Sequence, residues 1–175
     1  MEIENAARLC FASDYAQARA KFRGACATLG IATESYRNPN PGPAGEELAT
    51  DVAWIGPSDA RFVVGVISGT HGVEGFCGSG GQIDWLLNGG SAALPRDTAM
   101  LLIHAVNPYG WAWLSRTTEE NVDLNRNWVD FTAKLPENSG YEDLAAHVVP
   151  PELEGPARAP ADAAIAAWRA TRSVS

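Results

Sequence analysis

Residues 61–75 read RFVVGVISGTHGVEG, and this stretch decides the fold. Arg61 to Ser68 is a short, nearly all-apolar run rich in valine and isoleucine. Such runs suit a central strand buried on both faces. Gly69-Thr70-His71-Gly72 reads as a turn. From Glu74 a helix is predicted, carrying Ile83, Trp85, Leu86 and Leu87 and ended by Asn88-Gly89-Gly90. Gly78, Gly80 and Gly81 weaken that helix by up to ~1 kcal/mol each relative to alanine. MLLIHAV, residues 100–106, is a second buried strand, stopped by Asn107-Pro108. Strand, helix, strand at this spacing makes a βαβ unit. The expected class is therefore α/β, with a mixed, largely parallel sheet flanked by helices.

Working outward, SDYAQARAKFRGACATL (13–29) has helical spacing in Tyr15, Ala18, Phe22, Cys26 and Leu29. Ser13 is placed to cap it and Gly30 to end it. Weak alternation over 31–36 and the run 48–55 (LATDVAWI) predict two more strands, separated by the turn-rich RNPNPGPAGEE. An alanine-rich helix is predicted over 161–172.

Composition narrows the function. The chain has 175 residues, one domain's worth, with a formal charge of −8. An acidic balance argues against nucleic acid and against a polybasic membrane contact. No run of about 18 apolar residues is present. The acidic opening Met1-Glu2-Ile3-Glu4 lacks a secretory h-region. Cys10, Cys26 and Cys77 form neither a disulfide framework nor a CxxC pair. A reducing, cytoplasmic setting is expected. Cys77 lacks an activating partner and is expected to be a small buried cysteine. Ser68 and Ser79 stand in no GxSxG elbow, and neither nucleotide-binding glycine fingerprint occurs.

His71 and Glu74 lie three apart, just past the carboxyl end of a strand, where ligand sites of open α/β sheets gather. A neutral imidazole nitrogen and a carboxylate oxygen suit Zn²⁺. Gly69, Gly72 and Gly75 would let the backbone fold tightly around the ion. The plainer alternative is a solvated His and a Glu placed near a helix N-terminus. Farther on, Arg116 and Arg126, with Asn125 between them, could bind a carboxylate bidentately or hold charge developing on a carbonyl oxygen. Surface ion pairs with Glu119, Glu120 or Asp123 are the alternative. His104 is read as a core histidine. Tyr109, Trp111 and Trp113 read as a packed strand or loop face beside the presumed cleft.

Together SGTHGVEG, NPYGWAWLSR and VDLNRNW resemble the zinc carboxypeptidase superfamily, comprising M14-type metallopeptidases and the succinylglutamate desuccinylase/aspartoacylase deacylases. The nearest likeness is to its DUF2817 branch, over residues 11–160. The resemblance implies a zinc-carboxypeptidase-like α/β fold, of which residues 1–175 form the N-terminal portion of a single domain. It implies His71 and Glu74 as zinc ligands and Arg116 as the group that polarises the scissile carbonyl. Asn125 and Arg126 would grip the carboxylate of a small-molecule or peptide substrate. The implied reaction is hydrolysis of an amide bond, of carboxypeptidase or N-acyl amino-acid deacylase type.

The superfamily's third ligand, a downstream histidine in a DxHTG-like turn, and its later general-base glutamate find no match here. His147, in AAHVVPPELEG, lacks that context. Catalytic zinc needs three protein ligands, so the complete site is expected to require residues beyond this chain. The favoured explanation is an N-terminal part of a longer enzyme. The alternatives are a non-catalytic remnant or interaction module, and a second chain that supplies the missing part. An incomplete sheet would expose strand edges and apolar surface, so the chain alone is expected to be sticky, marginally stable or homo-oligomeric.

Overall fold

The computed structural model describes residues 8–152 and 154–171. The chain divides into two compact units, the first ending at Trp128 and the second beginning at Val129. The first unit contains α1 (Tyr15–Thr28), β1 (Thr33–Arg37), β2 (Ala49–Ile55), β3 (Phe62–Ile67), α2 (Gly75–Leu87), β4 (Thr98–His104) and α3 (Pro108–Ala112). Single 3-10 turns occupy Gly90–Ala93 and Leu124–Arg126. The second unit contains α4 (Ser139–Val148) and α5 (Arg158–Ala170), which pack on each other. No helix of the described residues is long and apolar enough to cross a membrane.

The four strands form one mixed sheet in the order β1-β2-β4-β3. β3 and β4 are parallel and joined through α2, as the βαβ reading expects. The two remaining pairings, β1 with β2 and β2 with β4, are antiparallel, so parallel pairing is a smaller share than expected. Phe22, Ala25 and Cys26 of α1 and Ile83 and Leu86 of α2 pack on Ala53 and Ile55 of β2 and on Met100 and Leu102 of β4. Each fully buried leucine, isoleucine or phenylalanine there contributes roughly 1.5–3 kcal/mol relative to exposure.

Two local readings change. The cap of α1 is Asp14, whose carboxylate accepts the Gln17 N–H at 2.8 Å; Ser13 instead bonds the Asp14 side chain. Gly30 does end the helix, at φ +69°. The larger correction concerns β3. Its apolar sequence predicts a central strand, yet among the described residues β3 pairs only with β4 and all six of its residues are exposed. Valine and isoleucine specify a pleated, apolar strand, but whether anything pairs with its outer edge is not written in them.

Beneath the sheet, Asp51 is fully buried and pairs with Arg19, Oδ2 accepting from Nε at 2.7 Å. Its register partner His104 is also fully buried, as the sequence reading has it. His104 shares a 2.9 Å hydrogen bond with Ser79 and stacks on Phe22 at 4.5 Å between centroids. Burial pushes its imidazole down to about 4.

Candidate metal centre

The turn after β3 is placed by contacts its glycines permit. Gly69 adopts φ +70° beside Ala105 and Trp111. A Cβ on Gly72 would overlap the carbonyl oxygens of Gly110 and Ser115, and the Gly72 N–H donates to Ser115 O at 3.0 Å. A Cβ on Gly75 would stand 2.6 Å from the Trp111 ring. These glycines let the turn lie flush on the segment after β4. Trp111 is buried and anchors a cluster with Tyr15, Ala18, Leu48 and Ala105.

The segment after β4 is held from its own side. Ala105 takes the left-handed conformation, φ +62°, while Val106 and Asn107 continue bonding to Ser68 and Gly69. A buried alanine there is strained, and such strain is sustained only where the surroundings fix it. Asn107 is buried; it accepts the Gly110 N–H at 2.8 Å and donates to Thr70 O at 3.4 Å. It thereby caps α3 and ties that helix to the residue before His71. The alternating aromatics form no strand: Tyr109 and Trp111 lie on α3, Trp113 follows it, and Tyr109 and Trp113 stack at 5.7 Å.

His71 and Glu74 converge. Nδ1 of His71 lies 3.5 Å from Oε1 of Glu74, and the imidazole side chain is only 11% exposed. Glu74 sits at the N-cap of α2 but makes no side-chain capping bond, so its carboxylate, 67% exposed, stays available. On the other side of the ring, Nε2 lies 2.9 Å from Oδ1 of Asp123.

Asp123 joins the two motif regions. Its Oδ1 also accepts the Asn125 N–H at 2.9 Å, and its Oδ2 accepts Nε of Arg116 at 2.8 Å. The His71 hydrogen bond foremost, then Arg116 and the Asn125 N–H, hold its carboxyl down at about 2, against an opposing effect of burial. An ionised carboxylate only accepts, so Nε2 donates to Asp123, and Nδ1 is the ring nitrogen that faces Glu74. Carboxylate, histidine and metal recur in this order because the outer carboxylate fixes the tautomer and raises ligand basicity. The sequence reading treats Asp123 only as a surface partner for arginine. Its place in VDLNRNW, on the rim that carries Asn125 and Arg126, is the signal that could have marked it.

The remaining predicted residues differ in placement. Arg116 meets Asp123, one of the ion pairs the sequence allows, and its guanidinium is half exposed. Asn125 and Arg126 lie on the exposed 3-10 turn beside Asp123, and Nη1 of Arg126 donates to the Asn125 carbonyl at 3.0 Å. Cys77 is exposed, correcting the buried reading. His104 faces the core of the first unit, and His147 lies on α4 of the second. Among the described residues no group of three or more His, Cys, Asp or Glu is arranged to hold a metal ion. The donor set fits two of the three protein ligands of a catalytic zinc and does not complete it.

The sequence matches the family described as "Protein of unknown function (DUF2817)" over residues 11–175. No curated protein matches it. Among solved structures, the chain is similar to glutaminyl cyclase of Porphyromonas gingivalis, with 12% identity and a TM-score of 0.39, over 75% of this chain and 55% of that one. The chain thus spans little more than half the length of that enzyme, and a likeness of this size carries no argument about site or activity.

Proposed function

This chain belongs to the DUF2817 family, and we propose that it carries part of a zinc-dependent amide hydrolase site. The substrate class is a small molecule or peptide bearing a carboxylate, cleaved in the manner of a carboxypeptidase or an N-acyl amino-acid deacylase. The observation that supports this most is the line from Glu74 Oε1 through the His71 ring to Asp123 Oδ1, at 3.5 and 2.9 Å. His71 Nδ1 and Glu74 would hold the ion, with Asp123 orienting the imidazole. A third donor comes from outside the first unit's described residues. Zinc, when bound, supplies a Lewis acid and lowers the pKa of its water toward ~7. Arg116 engages Asp123 through Nε, which leaves its Nη groups to bond a substrate carbonyl oxygen. Asn125 and Arg126, exposed beside it, would grip the substrate carboxylate.

A second reading is favoured by the absence of a three-donor group among the described residues: a non-catalytic remnant or interaction module that keeps the fold. Zinc stoichiometry and hydrolysis separate the two. Both are measured on this chain and on the protein extended by any coding sequence that follows Ser175. The hydrolase reading expects about one zinc per complete chain and cleavage of N-acyl amino acids or short peptides, lost in His71→Ala and Glu74→Ala. Absence of stoichiometric zinc and of cleavage in both forms would overturn it.

A further inference from the structure

The turn-rich loop between β1 and β2 supplies no residue to the site, yet it is fastened to the segment that carries Arg116. Pro39, Pro41 and Pro43 fix the backbone torsion at three of its positions. The Asn38 N–H closes its base on Leu48 O at 2.8 Å, and the Gly42 N–H closes its tip on Glu46 O at 2.9 Å. Folded back on itself, the loop is a stiff hook. Nδ2 of Asn38 donates to Oε1 of Glu119 at 2.8 Å, and Nδ2 of Asn40 reaches the same oxygen at 3.4 Å. Nε1 of Trp113 donates back to Pro41 O at 3.3 Å. Arg116 lies midway between the two fastened positions, Trp113 and Glu119.

Asn38 is oriented at both ends. Its Oδ1 accepts the Asn40 N–H at 2.9 Å, so Nδ2 is the atom turned to Glu119. An amide donating to a carboxylate makes a charge-assisted bond, stronger than one between neutral groups. Glu119 stands on the tight turn 117–122, which the Thr118 N–H closes on Val122 O at 3.0 Å and in which Asn121 takes φ +60°. This turn joins Arg116 to Asp123, whose side chains meet at 2.8 Å. Its root is tied to the turn that carries His71, because Ser115 O accepts the Gly72 N–H. Its far end, with Glu119, Glu120 and Asn121 exposed, is tied to the hook. All of these residues belong to the first unit. A guanidinium half open to water keeps one geometry only where its backbone and its partner are both held.

We propose that Asn38 is a positioning residue. By holding Glu119 it fixes the 117–122 turn, and with it the pairing of Arg116 with Asp123 that leaves the Nη groups of Arg116 to the substrate. The use of Arg116 in the reaction rests on the hydrolase reading; its placement by Asn38 rests on the geometry alone.

The test exchanges donor and acceptor. Asn38→Asp keeps the hook, because its carboxylate still accepts the Asn40 N–H, but it sets a like charge against Glu119. Adding Glu119→Gln supplies an amide donor and restores the contact with its roles reversed. Glu119→Ala removes the acceptor at an exposed position. NMR reads hydrogen exchange at Arg116 Nε–H, and thermal melting checks the fold. Exchange is expected to be about tenfold faster in Asn38→Asp and in Glu119→Ala, the effect of one hydrogen bond to a charged group. It is expected to return to the wild-type rate in the double variant, with melting nearly unchanged throughout. Hydrolysis is measured on the same two forms of the protein as zinc stoichiometry. Its kcat is expected to fall and recover in the same order, with KM little changed. Unchanged exchange in Asn38→Asp, a double variant that restores nothing, or faster exchange with unaltered kcat would each overturn the positioning role. Absence of hydrolysis from every form would overturn the hydrolase reading instead, and exchange at Arg116 would still decide whether Asn38 holds it.

Discussion

Asp123 Oδ1 stands 2.9 Å from His71 Nε2, and through that contact the VDLNRNW loop controls the ring that faces Glu74. Two segments about fifty residues apart meet here because Gly72 has no side chain and Asn107 bonds across to Thr70.

Removing the histidine should release the carboxylate. In His71→Ala the Asp123 carboxyl loses the strongest influence that holds it at about 2, so it should titrate closer to the ordinary 3.8. Carbon-detected NMR of the Asp123 carboxyl reads this directly. A midpoint unchanged in the variant would show that the His71 bond does not set it.

Asp123→Asn keeps the size of the side chain but can present an amide to the imidazole and free the tautomer. Any zinc held by His71 and Glu74 should weaken by about 10–100-fold, the usual cost of losing such an outer partner. Isothermal titration with zinc measures it, and equal affinity in the variant would contradict the orienting role.

Arg116→Lys retains charge but loses the planar fork. If Arg116 bonds the reacting carbonyl, hydrolysis in the complete enzyme should fall by roughly 10²–10³-fold, as for loss of one oxyanion donor, with KM little changed. An effect confined to KM would move Arg116 to substrate binding.

Acid should weaken the fold through His104 before it reaches Asp123. The His104 imidazole is lowered to about 4 in the folded protein, so between pH 6.5 and 4 the unfolded chain binds the proton first. This contribution to stability is complete above pH 6.5 and is lost as pH falls toward 4, by roughly 3 kcal/mol. The Asp123 contribution follows at lower pH, between 3.8 and about 2, because a lowered carboxyl is lost only on further acidification. Chemical denaturation at pH 7, 5.5 and 4.5 should show a decline that His104→Gln flattens.

Gly72→Ala places a methyl group into the backbone carbonyls of Gly110 and Ser115, which cannot turn aside as a flexible side chain would. Overpacking of this kind costs about 1–3 kcal/mol. Thermal melting should drop accordingly, and an unchanged melting temperature would mean that the two loops are not in firm contact.

Much of this was legible in the residues. The βαβ unit follows from two β-branched runs flanking a helix, and it is present as β3, α2 and β4. The buried His104 follows from its place in an apolar strand. Position on the sheet did not follow, because Val63 and Ile67 would read the same in the middle or at the edge. Antiparallel pairing of β2 with β4 was equally hidden, since it depends on partners distant in sequence. In the site, His71 and Glu74 were singled out by the strand before them and by the resemblance of SGTHGVEG, and their side chains lie 3.5 Å apart. Asp123 was missed because its role is set by a contact with residue 71, and its place in VDLNRNW beside Asn125 and Arg126 was the one local sign of it.

The central claim is that Nδ1 of His71 and the Glu74 carboxylate act together on one divalent cation. Nitrogen-15 NMR of the His71 ring during a zinc titration tests it most directly. The expected result is a shift at Nδ1 with Nε2 retaining its hydrogen, weaker in Glu74→Ala and weaker again in Asp123→Asn. A ring that does not respond to millimolar zinc, or that responds through Nε2, would contradict the account.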